Sequence, residues 1–138
     1  LLNEQLIKIF DAPFKNTDKI KIIKSHLLCE HLEKLTSMFD DPLVLVYRHD
    51  QDCFDWWQEA GGWKITYPNY QWYKDDENMK LQIKKQNQNI RAFVDKNKLY
   101  SLNDSLELQK LLGIKSLGYN RFTDVEVYCN ITNESKDT

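Results

Sequence analysis

The chain has 138 residues, 41% hydrophobic and 29% charged, which suits one compact domain over residues 1–138 and excludes a disordered tail. A formal net charge of −2, with sixteen Lys but three Arg, argues against an electrostatic grip on nucleic acid, because it is guanidinium forks that read phosphates bidentately. The longest apolar run, Leu43 to Tyr47, is far short of the ~20 residues that span a bilayer, and three scattered cysteines exclude a disulfide framework.

Leu2, Leu6, Ile9 and Phe10 recur at helical spacing, and Pro13 ends that short first helix. From Asp18 to Phe39 the apolar stripe Ile20, Ile23, Leu27, Leu28, Leu32, Leu35 and Phe39 predicts one long helix, stopped by Asp40-Asp41-Pro42. Leu43 to Tyr47 reads as a central strand buried on both faces. Asp52 to Ala60 predicts a short helix closed by Gly61-Gly62. Trp63, Ile65 and Tyr67 then alternate with polar residues, Tyr70 to Lys74 follows a Pro68-Asn69 turn, and Met79, Leu81 and Ile83 alternate again. Those three stretches predict an antiparallel meander. Ile90 to Val94 is read as pairing in a hairpin with Leu99 to Leu102, with a helix as the alternative. Asp104 with Glu107 is a capping-box signature for a helix ending at Gly113. Val125, Val127 and Cys129 suggest a last strand, with a frayed tail from about residue 131. The expected fold is therefore α+β, with N-terminal helices on one face of a mostly antiparallel sheet of about five to six strands.

Glycine-rich phosphate loops, nucleophile elbows and kinase signatures are absent, so no cofactor is expected. His26, Cys29 and His31 invite a metal reading, but on a helix Cys29 and His31 would point to nearly opposite sides, so no metal is expected either. His49 and Asp50, with Lys84 from a neighbouring strand, could form a small nuclease-type hydrolytic centre, since metal-free RNA cleavage needs an acid–base pair beside a cation. A solvated loop is the blander account of the same residues.

Two features outweigh that pair. Asp40, Asp41, Asp50, Asp52, Asp55 and Glu59 stand against the single base Arg48, whereas Lys80 to Lys98 is as strongly basic. All four Trp and four further rings fall between Phe54 and Tyr73, and the adjacent Trp56 and Trp57 cannot both face one core. Exposed large rings beside acids suit a protein-binding surface, here assigned to Asp50, Asp52, Asp55, Trp56, Trp57, Glu59, Tyr70 and Tyr73. The expected protein is soluble and cytoplasmic. Its expected role is that of an inhibitor, immunity protein or antitoxin for a partner with a basic surface, such as a nuclease toxin. Nucleic acid and membrane are not expected partners.

Overall fold

The computed structural model describes residues 21–66, 70–115 and 118–131. The first predicted helix and the tail beyond Ile131 lie outside these residues. Four α-helices are spread along the described chain: α1 (Leu32–Met38), α2 (Asp50–Ala60), α3 (Asp76–Asn97) and α4 (Ser105–Leu112). Between and before them come short 3-10 turns at His26–Glu30, Gly62–Lys64 and Gln71–Tyr73. Strands β1 (Val44–Tyr47) and β2 (Glu126–Cys129) pair antiparallel, with Val44 opposite Cys129 and Tyr47 opposite Glu126. No helix among the described residues is long and apolar enough to cross a membrane.

The fold is α+β, but the expected sheet of five to six strands is overturned: among the described residues it has two. The largest cause is α3. Met79, Leu81 and Ile83 satisfy a period of two over a short window, and Met79 with Ile83 satisfies a helical period equally well. Over the whole segment the buried positions are Met79, Ile83, Gln86, Asn87, Ile90, Phe93 and Val94, a helical spacing, while Leu81 is 59% exposed. Asp75 caps the helix by accepting from Asn78 N at 2.7 Å, and Asp76 and Glu77 sit at the positive end of its dipole. The helix runs through the predicted Ile90–Val94 hairpin strand and stops at Lys98, whose φ of 53° is left-handed.

The proposed strands at Trp63 to Tyr67 and Tyr70 to Lys74 are replaced by 3-10 turns in their described parts. Gly61 and Gly62, at φ 121° and 62°, reverse the chain at the end of α2 so that Trp63 folds back onto the core. The long N-terminal helix is also corrected. A 3-10 turn over His26–Glu30 breaks at His31 before α1 begins, which leaves Ile22, Ile23 and Leu27 exposed. Three residues per turn set His26 and Cys29 on one side, toward the core. Nor is β1 buried on both faces, because Leu45 points inward while Val46 is 57% exposed.

Two apolar clusters flank α3. Its C-terminal half places Ile90, Phe93 and Val94 with Leu32, Leu45 and Tyr128. Its N-terminal half places Met79 and Ile83 with Tyr73, against which Phe54, Trp57, Trp63 and Tyr70 pack. The long helix is thus the spine that carries α2 on one side of its first half.

Candidate functional site

Helix α2 divides its side chains between two faces. Cys53, Phe54 and Trp57 turn toward α3, and at 100° per residue the opposite face collects Asp52, Asp55, Trp56 and Glu59. These four occupy i, i+3, i+4 and i+7, so they form one exposed stripe. Trp56 is 59% exposed, and the Arg48 guanidinium carbon lies 5.0 Å from its ring centroid. Asp55 accepts a hydrogen bond from Gln51 Nε2 at 2.9 Å. Among the described residues, no Lys, Arg or His forms an ion pair with Asp52, Asp55 or Glu59.

The other predicted surface residues lie elsewhere. Trp57 stacks on Tyr70 with centroids 5.3 Å apart and planes at 11°, and both are half-buried. Tyr73 is fully buried, its hydroxyl 3.1 Å from His26 Nε2, and burial pushes that hydroxyl well above its usual range. His26 meets the edges of Trp57 and Tyr70 in the same nest, and burial lowers its pKa, with Glu30 opposing. Tyr73 is therefore an internal residue rather than a contact one. Asp50 is exposed but aims one oxygen at α3: its Oδ1 accepts from the buried Asn87 Nδ2 at 2.7 Å, and the same nitrogen donates to the Arg48 carbonyl at 2.8 Å.

That bond weakens the hydrolytic alternative. The structure joins Asp50 to Asn87 and not to His49, whose exposed ring packs edge-on against Tyr47 at 5.9 Å. Lys84 lies on the exposed side of α3, a helix and not the neighbouring strand expected, and makes no hydrogen bond or ion pair with His49 or Asp50. No three His, Cys, Asp or Glu side chains among the described residues converge as a metal site would require. Cys29 and His31 are not on one α-helix as expected: Cys29 lies in the 3-10 turn and His31 at the break before α1.

Sequence reasoning missed a polar cluster at the far end of α3. Arg91 donates to Glu126 Oε2 at 2.8 Å and to the Tyr128 hydroxyl at 3.2 Å, and its guanidinium covers the Tyr47 ring at 4.1 Å. Tyr128 in turn donates to Glu126, and that bond, with Arg91 beside it, holds the Glu126 carboxyl below the usual carboxylate range. Base and acid neutralise each other here, so the cluster ties β2 to α3. No spacing rule could have joined residues 91 and 126. The Arg48–Trp56 contact was equally hidden, although both residues were visible in the acidic–aromatic segment.

Comparison of the chain with protein-family models, with curated proteins and with solved structures returns no match.

Proposed function

We propose that this chain is a protein-binding module, an inhibitor or immunity-type protein that caps a basic surface of its partner, such as the cationic active site of a nuclease toxin. One observation carries the proposal: the exposed stripe of Asp52, Asp55, Trp56 and Glu59, whose acids lack a cationic partner within the described residues. Asp55 and its neighbours supply long-range attraction that raises the association rate and falls with salt. Trp56 supplies rigid apolar area of the kind that dominates interface energies.

The test is affinity capture from the native host with the wild-type chain, followed by kinetics on the recovered partner. The expected partner is stoichiometric and basic. Asp52→Lys or Asp55→Lys should slow association in a salt-dependent way, and Trp56→Ala should speed dissociation, costing at least about 2 kcal/mol. Circular dichroism should show the fold intact in each variant. Unchanged capture by both charge-reversal variants and by Trp56→Ala would place the contact surface elsewhere.

A further inference from the structure

We infer that the outer face of α2 receives an arginine side chain of its partner on the Trp56 ring, and that Arg48 is the internal occupant which that arginine displaces. This rests on the reading of α2 as the contact surface and names the chemistry that surface selects.

Arg48 is the one base between Asp40 and Glu59. It immediately precedes the cap of α2, and its carbonyl is pinned by Asn87 Nδ2 at 2.8 Å and by Cys53 Sγ at 3.3 Å. Its backbone is thus held while its side chain reaches over the indole. A guanidinium 5.0 Å from the ring centroid of Trp56 occupies a cation–π position on a face otherwise open to solvent. Arg48 belongs to none of the ion pairs among the described residues, so it holds the ring without a carboxylate partner.

The same stripe carries what Arg48 lacks. Asp52 sits one turn before Trp56 and Glu59 one turn after, which brackets the indole with carboxylates on the exposed side. An incoming guanidinium could stack on the ring and pair bidentately with one of those acids at once. An ammonium is a compact point charge that does neither in the same way, so the site should select Arg over Lys. Arg48 competes for the ring and lowers the apparent affinity until it is displaced. It also shields an exposed Trp when no partner is bound.

Peptide binding measured by calorimetry at low salt tests the inference, with nona-arginine and nona-lysine as probes. The wild-type chain should prefer nona-arginine by about tenfold or more. Arg48→Met removes the competitor but also adds one unit of negative charge, which alone would tighten both peptides equally. The expected result is a gain several-fold larger for nona-arginine than for nona-lysine. Trp56→Leu should abolish the preference, Trp56→Phe should retain part of it, and Arg48→Met in the Trp56→Leu background should show equal gains for both peptides. Equal gains in Arg48→Met alone, or no wild-type preference, would overturn the inference. If Asp55→Lys still slows association with the native partner and Trp56→Ala still speeds dissociation from it, the contact-surface proposal survives that failure. If they do not, both fall together.

Discussion

Replacing Asn87 with alanine should loosen α2 from α3 without touching the exposed stripe. The Asn87 amide is buried at 7% exposure and divides its Nδ2 between the Arg48 carbonyl at 2.8 Å and the Asp50 carboxylate at 2.7 Å. A neutral bond of this kind contributes about 1 kcal/mol and a charge-assisted one about 1.5–3 kcal/mol, with the lower end fitting the exposed Asp50. Both acceptors can rehydrate after truncation, so the expected cost is about 2–3 kcal/mol. At roughly 2–4 °C per kcal/mol that is a fall in Tm of several degrees. Urea denaturation of Asn87→Ala, Asp50→Ala and the double variant measures the tether directly, and a coupling of about 1 kcal/mol or more is expected. Because the tether sets the start of α2, Asn87→Ala should also weaken partner binding from a distance. A loss under 0.5 kcal/mol, additive with Asp50→Ala, would refute the reasoning and leave the two helices held by apolar contact, the exposed Gln58–Asp76 hydrogen bond and the Lys80–Phe54 cation–π contact.

Two further outcomes follow from burial. Met79→Ala, at a fully buried position, should cost about 2–5 kcal/mol, whereas Leu81→Ala, 59% exposed, should change stability by about 0.5 kcal/mol or less. Equal losses in urea titrations would restore a half-buried strand at this segment. His26 has a folded-state pKa lowered by burial, with Glu30 opposing it, so the unfolded chain takes up the proton first as pH falls. Its contribution to stability is therefore present above the ordinary value of 6.5 and is lost as pH drops through and below it. Unfolding free energies between pH 5 and 8 should decline more steeply on the acid side in wild type than in His26→Gln. Identical profiles would show that the His26–Tyr73 contact carries no protonation cost.

Where structure follows from neighbours in sequence, the residues alone sufficed. Asp104 accepts from Glu107 N at 3.0 Å and Gly113 takes the left-handed cap, as the capping signature implied, while the Glu107 carboxylate reaches one residue past the cap to accept from Asn103 N at 3.0 Å. The helix before Gly61-Gly62 was legible for the same reason, as were the split of Trp56 from Trp57 and a strand within Leu43 to Tyr47, though not that strand's exposed face. Adjacent residues on any regular element must point apart. Tertiary packing decided the rest. Six residues from Met79 to Lys84 carry both periods, and the packing of Ile90, Phe93 and Val94 against Leu32, Leu45 and Tyr128 adds to the Asp75 cap in favour of the helix. The break at His31 likewise depends on distant partners, since His26 reaches Tyr73 while Cys29 packs against the cluster built on Ile90, Phe93 and Val94. Composition could say that acids and indoles share one segment. Which of them face solvent was set by the side of α2 that meets α3, a choice made by burial free energy summed over contacts remote in sequence.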